Sequence, residues 1–144
     1  MNAPRVQDPD YVARVRGCFD GQTLMRTIGA RLTRLEPGAV DIAFAYRADL
    51  AQQNGFIHAG IVTALIDTAC GLAAYTLMPA DADVLSVEFK VNLLRPAAGE
   101  RFLACGLVIK PGLTLMVTRG DLWALAPESS RIHVATMQAT MIRR

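Results

Sequence analysis

Residues 59 to 78, AGIVTALIDTACGLAAYTLM, form an apolar and small run interrupted by one charge, Asp67. At 1.5 Å per residue this predicts a helix of about 28 Å, ended by Pro79. It is hydrophobic almost all round, so it has to be enclosed. Upstream, Asp8 to Phe19 places Tyr11, Val12, Val15 and Phe19 on one side of a helix that Asp8 or Asp10 can cap, and a short turn over Gly21 to Met25 follows. From Ile28 the period changes to two. IGARLTRLEPGAVDIAFAY reads as two strands joined at Glu36-Pro37-Gly38. Residues 47 to 58 lack either period and form a loop leading into the apolar helix. Beyond Pro79, VLSVEFKVNLLR alternates, with Leu85, Val87, Phe89, Val91 and Leu93 on one face and Ser86, Glu88, Lys90 and Asn92 on the other. That pattern predicts a half-buried strand. Turns at Pro96 to Glu100, Pro111-Gly112 and Ala126 to Ser130 then separate three more strands, RFLACGLVIK, LTLMVTRGDLWAL and RIHVATMQATMI, so the second half reads as an antiparallel meander.

Two strands, one long helix and four strands make an α+β chain. The expected architecture is a curved antiparallel sheet of about six strands wrapped around one long central helix, with a short N-terminal helix. A chain of this size buries roughly 68 to 70% of its unfolded surface, so one domain over 1–144 is expected: a helical segment over 1–27 and a core over 28–142.

Composition adds less. The chain is 52% hydrophobic and 19% charged, with a formal net charge of +2, which gives no electrostatic case for nucleic acid. Twenty-two residues are alanine, so much of the apolar content is small side chains. Of the fifteen basic residues only Lys90 and Lys110 are lysine, a bias compatible with an anionic ligand or with codon usage. Cys18, Cys70 and Cys105 are widely spaced, with no metal-ligand pattern, and fit a reducing cytoplasmic location. The charged N-terminus lacks the apolar region of a secretory leader. A membrane span over residues 60 to 78 is disfavoured, because a central Asp costs about 2.5 to 3.5 kcal/mol to insert.

Asp67 therefore calls for a buried or interfacial role. Stepping 100° per residue, the positions within two turns of it and within about 60° are Gly60, Thr63, Ala64, Cys70, Gly71 and Ala74, all small. Such a strip admits either another helix across a dimer interface, with Asp67 paired to an Arg, or a ligand. The preceding loop, Gln52-Gln53-Asn54-Gly55-Phe56-Ile57-His58-Ala59-Gly60, ends in backbone N–H groups with no partner inside the helix, at the positive end of its dipole. An oxyanion donor at the start of the helix, a carboxylate two turns on and an amide in the loop suffice to hydrolyse an activated acyl group.

These residues resemble the signature of hotdog-fold acyl-CoA thioesterases of the phenylacetate-pathway (PaaI-like) type. In that family an H-G-G motif opens the central helix and an Asp or Glu nine residues after the His performs the chemistry, as His58 and Asp67 are spaced here. The family's water-orienting Asn or Gln lies six residues before the His, where this chain has Gln52. Ser86 in SVEF and Arg95-Pro96 are also similar to the family's pattern. The first Gly of the motif is Ala59 here, which leaves either Ala59 or Gly60 as the oxyanion donor.

The resemblance implies hydrolysis of an acyl-CoA to a free acid and coenzyme A, with Asp67 as nucleophile or general base, Gln52 holding the water and Ser86 assisting. Asn54, Gly55, His58, Thr63, Gly71 and Arg95 would contact substrate. The family's site lies between subunits, so a homo-oligomer is expected, a dimer or a dimer of dimers. No metal or cofactor is implied, and neither a nucleic acid nor a membrane partner. His58 reads as catalytic or as a residue that fixes the loop, Asn54 as a site amide or the left-handed residue of a turn with Gly55, and Cys70 as a nucleophile lacking a base. Arg95, Arg101 and Arg119 are candidates for the coenzyme A phosphates, and His133 is expected to be structural or exposed. A hotdog enoyl-CoA hydratase or dehydratase and a non-catalytic acyl-CoA-binding protein are the alternatives.

Overall fold

The computed structural model describes residues 5–144; Met1 to Pro4, the first residues of the charged N-terminal segment, lie outside it. Two short helices, α1 (Tyr11–Gly21) and α2 (Thr23–Ile28), precede β1 (Arg31–Glu36) and β2 (Ala39–Ala45). The long helix α3 (Ala59–Tyr75) follows, then β3 (Val84–Leu93), β4 (Arg101–Lys110), β5 (Leu115–Leu125) and β6 (Arg131–Arg143). Gly38 carries the positive φ of +75° that the β1–β2 turn needs. Among the described residues no helix is long and apolar enough to cross a membrane.

The six strands form one antiparallel sheet in the order β1-β2-β4-β5-β6-β3. This is the α+β arrangement expected of a hotdog fold, with one correction. Only β4, β5 and β6 form a meander; β3 lies at the far edge against β6, and β2 sits beside β4. Strands are about 4.8 Å apart, so β2 and β3 are separated by about 19 Å, and α3, at about 26 Å, is long enough to carry the chain between them.

The sheet's inner face holds the core. Ile42, Phe102, Leu122, Met137 and Met141 point inward and meet Val62, Leu65, Ile66 and Leu72 of α3, all buried. Each such side chain contributes about 1.5 to 3 kcal/mol relative to exposure. The helix lies closest where Gly106 of β4 pairs with Gly120 of β5. A Cβ on Gly106 would fall 2.3 Å from the Ala69 carbonyl, and one on Gly120 would fall 2.2 Å from Ile66 Cγ2. The two glycines form a trough that seats the helix backbone.

Helix α3 ends at Tyr75, earlier than Pro79 required. Thr76 Oγ1 donates to the Ala73 carbonyl at 2.6 Å and accepts from Gly38 N–H at 2.7 Å, tying the helix end to the β1–β2 turn. Arg14 of α1 secures the same end: its guanidinium donates to the Tyr75 and Met78 carbonyls, stacks 4.1 Å from the Tyr75 ring and pairs with Asp8 at 2.7 Å. Of the two expected caps, Asp8 and Asp10, Asp10 is the N-cap residue of α1 without a side-chain capping bond, and Asp8 does not cap the helix. Its side chain instead accepts from Asp10 N–H and from Arg14.

The Arg14 guanidinium, followed by the Asp10 N–H, holds the Asp8 carboxyl below the usual carboxylate range, against the opposing effect of burial. A carboxyl depressed in the folded state stabilises the protein above the unfolded pKa, about 3.9, and that contribution is lost as pH falls through the folded value. Thermal melts should show Asp8→Asn melting below the wild type at pH 7, with the gap closing below about pH 4. A gap that stays constant down to pH 2 would show that the pair does not link folding to pH.

Strand β3 departs from its half-buried pattern. Leu85, Val87, Phe89 and Leu93 are 43 to 54% exposed. Among the described residues β3 pairs only with β6, and of its apolar side chains Val84 and Val91 pack against the core while these four do not, so a ten-residue strand presents an open hydrogen-bonding edge with apolar flanks. Such an edge is a template for a second chain.

The strand also carries a bulge. Ser86 is paired with Met141 and Glu88 with Thr140, so Val87 is extra. Met141 is buried on the inner face, whereas Thr140 Oγ1 donates to Glu88 on the outer one. Ser86 is therefore separated from Glu88, Lys90 and Asn92, the residues it was read beside, and faces the helix.

Candidate active site

That bulge brings Ser86 to Asp67. Ser86 Oγ donates to Asp67 Oδ1 at 2.6 Å and also contacts Met141 Sδ at 3.4 Å. Asp67 is half-buried on α3, and a carboxylate held by a hydroxyl keeps its second oxygen free for chemistry. The small strip predicted around Asp67 is open over only part of its length. Gly60, Thr63, Ala64 and Gly71 remain accessible, while Cys70 and Ala74 are buried. Burial pushes the Cys70 thiol up to about 12, so it carries almost no thiolate at neutral pH and is no nucleophile.

The start of α3 is built by the loop before it. A bridge between Ala51 and Ile57 closes the loop, Gly55 takes the left-handed turn at φ +83°, and His58 N–H donates to the Leu50 carbonyl at 2.9 Å. The left-handed residue is thus Gly55 and not Asn54, whose N–H donates to Gln52 Oε1. That bond anchors Gln52 by its oxygen, leaving its amide NH2 as the group available to a ligand.

His58 is the N-cap of α3. Its Nδ1 accepts from Gly60 N–H at 2.8 Å, which places its proton on Nε2. A Cβ on Gly60 would lie 3.0 Å from that nitrogen, so the small residue lets the imidazole close over the helix end. Ile61 and Val62 N–H both donate to the His58 carbonyl. The Ala59 N–H has no acceptor among the described residues, so of the two donors left open by the sequence it is the free one.

Two cavities flank the helix. One of about 510 Å³ at its start is lined by Gln52, Asn54, His58, Ala59 and Arg95, with Phe56, Val62 and Leu93 among its apolar walls. The other, about 210 Å³, contains Asp67, Ser86 and Gly71. Gly55, Gly60 and Thr63 line neither, and the Thr63 hydroxyl is spent on the Ala59 carbonyl at 2.8 Å. Asp67 lies eight helical steps beyond Ala59, about 12 Å along the axis, so one chain does not bring its free N–H and its carboxylate to the same atom.

Of the candidate phosphate ligands, Arg95 lines the helix-start cavity and is steadied by the His133 carbonyl at 3.0 Å. Arg101 lies in a separate hollow with Gly99 and Pro127. Arg119 is paired with Asp121 on the outer sheet face. His133 also bonds Asp121, at 2.8 Å, and stacks on Trp123 with centroids 4.2 Å apart, a structural role. Sequence reading missed Cys18, Gln22 and Met141 around Asp67, and no motif marks them.

The family model described as thioesterase superfamily matches residues 54–129. A solved structure of a thioesterase family protein from Silicibacter pomeroyi is 47% identical, with a TM-score of 0.89 over 92% of this chain and 97% of that one. The PaaI protein of the Escherichia coli phenylacetic acid degradation operon, 16% identical, shares the fold at a TM-score of 0.83 over 96% of both chains. The medium/long-chain acyl-CoA thioesterase YigI of Escherichia coli is 23% identical over 130 residues, 80% of this chain and 81% of that protein.

Proposed function

Because this chain belongs to the thioesterase superfamily, we propose that it hydrolyses acyl-CoA thioesters to a free carboxylic acid and coenzyme A. The observation that carries this reading is the Asp67 carboxylate, held by Ser86 on a helix whose first N–H, at Ala59, is uncommitted. YigI, which acts on acyl-CoA thioesters, supports the substrate class.

In the reaction the Ala59 N–H donates to the thioester carbonyl oxygen and stabilises the oxyanion as it forms. Asp67 takes a proton from a water that attacks the carbonyl carbon, and the proton passes to the departing coenzyme A sulfur. Direct attack by Asp67, giving an anhydride that water then opens, uses the same groups. Gln52 places the water through its amide NH2, and His58 orients the donor by holding Gly60. Asn54 and Arg95 contact the coenzyme A moiety, with Arg95 on a phosphate.

The roughly 12 Å between Ala59 and Asp67 supports a site shared by two chains. Asp67 of one protomer and Ala59 of its partner complete each site, and the apolar edge of β3 is where two copies join. The complete site is thus a property of a dimer, or of a dimer of dimers. The three free cysteines fit the reducing cytoplasm.

Release of free thiol from a panel of acyl-CoAs tests the activity. Turnover of at least one is expected; no free coenzyme A from any substrate would sink the reading in favour of a binding protein, and loss of enoyl absorbance would favour a hydratase. Gln52→Ala should lower kcat by about 10-fold, less than removal of the Asp67 carboxylate, because it positions the water without accepting its proton. The reverse order would mean that Gln52 has a different role.

A further inference from the structure

The cavity beside Asp67 reaches past the reacting groups. It lies between α3, β3 and α1, and its lining includes Cys18 and Gln22, the latter at the junction of α1 and α2. Neither residue falls within the stretch matched by the family model. The wall is firmly placed, since Arg14 ties α1 to the Tyr75 carbonyl at the end of α3 and to the Met78 carbonyl just beyond it.

Gly71 forms another part of the lining, one turn beyond Asp67 on the same helix. A glycine inside a helix or strand costs roughly 0.5 to 1 kcal/mol relative to alanine. At Gly106 and Gly120 that cost has a reason within the chain, because a Cβ would collide with α3. At Gly71 a Cβ would meet nothing within 4 Å. Packing in this chain does not require the glycine, and the space it leaves opens next to the carboxylate.

We propose that this cavity receives the acyl group, and that Cys18 and Gln22 end it and so set the length of acyl chain the enzyme accepts. The inference rests on the thioesterase reading above. A cavity of about 150 Å³ is enough for benzene, so about 210 Å³ holds one ring or an aliphatic chain of about six carbons. Leu72, Val84 and Leu85 give it apolar walls that suit an unfunctionalised acyl group.

The test compares kcat/KM across straight-chain acyl-CoAs from acetyl to dodecanoyl for the wild type, Gly71→Leu, and the Cys18→Ala/Gln22→Ala pair. The wild type is expected to peak near six carbons and fall about 10-fold or more for the longest chains. Gly71→Leu should lower the hexanoyl-to-acetyl ratio by about 10-fold, and the double variant should move the optimum to longer chains. Gly71→Ala, which adds only a methyl, should melt at or above the wild-type temperature, showing that the position tolerates a side chain. An optimum at ten carbons or more, or ratios unmoved in both Gly71→Leu and the double variant, would overturn the pocket assignment while leaving hydrolysis intact. A wild type that cleaves no acyl-CoA would overturn both.

Discussion

Replacing Asp67 with Asn should lower kcat for thioester hydrolysis by about 10² to 10⁴ while KM stays within a few-fold. The substitution keeps the shape of the side chain, and Ser86 Oγ can still donate to the amide oxygen as it donates to the carboxylate at 2.6 Å. What disappears is the capacity to take a proton from water or to attack the carbonyl. Both act in the transition state, so the loss appears in kcat and not in substrate binding. Thermal melts of the variant should match the wild type closely, since no packed side chain is removed. Steady-state thiol release over a range of substrate concentrations separates the two parameters, and an unchanged kcat would reject the assignment of Asp67.

The second large effect is on stability. Gly106→Ala should cost at least about 3 kcal/mol, at or beyond the upper end of the usual range for overpacking. The added Cβ would lie 2.3 Å from the carbon and oxygen of the Ala69 carbonyl and 2.6 Å from Cys70 N, all of them backbone atoms that no rotamer change can move aside. The helix would have to rise off β4 as a body, breaking its contact with Gly120 as well. For a chain of this length, about 3 kcal/mol corresponds to a fall in melting temperature of roughly 10 °C. A variant melting within 2 °C of the wild type would show that the helix can lift without loss.

The elements themselves were legible in the sequence wherever one face was buried by the same chain. β2, β4 and β5 alternate cleanly because α3 covers one side of each. The turn at Pro37-Gly38 uses residues whose φ preferences set it, and at Pro111-Gly112 the glycine is needed because a Cβ would fall 2.2 Å from the Leu115 carbonyl. The order of strands was less accessible. β3 pairs with β6, whose residues lie some fifty positions later, and no local pattern encodes so distant a choice. The end of α3 was displaced for a related reason: Thr76 is claimed by the Gly38 N–H, a contact from another turn of the chain.

In the site, Asp67 stood out as the one charge in an apolar helix, and its spacing from His58 pointed to the family. The choice between Ala59 and Gly60 needed three-dimensional information, because it depends on His58 Nδ1 turning back to bond Gly60. Cys18 and Gln22 left no trace in the pattern, since α1 reaches the cavity only after folding.

The bulge at Val87 has an evolutionary consequence. Val87 has no partner in β6, and this extra step sets Ser86 and Glu88 on opposite faces. Loss of that single codon would leave Ser86 and Glu88 as neighbours opposite Met141 and Thr140, still on opposite faces, so the serine would keep its contact with Asp67. A lineage could thus shorten β3 by one residue here without moving the hydroxyl. Descendants of this fold would then align only where a gap is allowed between the serine and the glutamate.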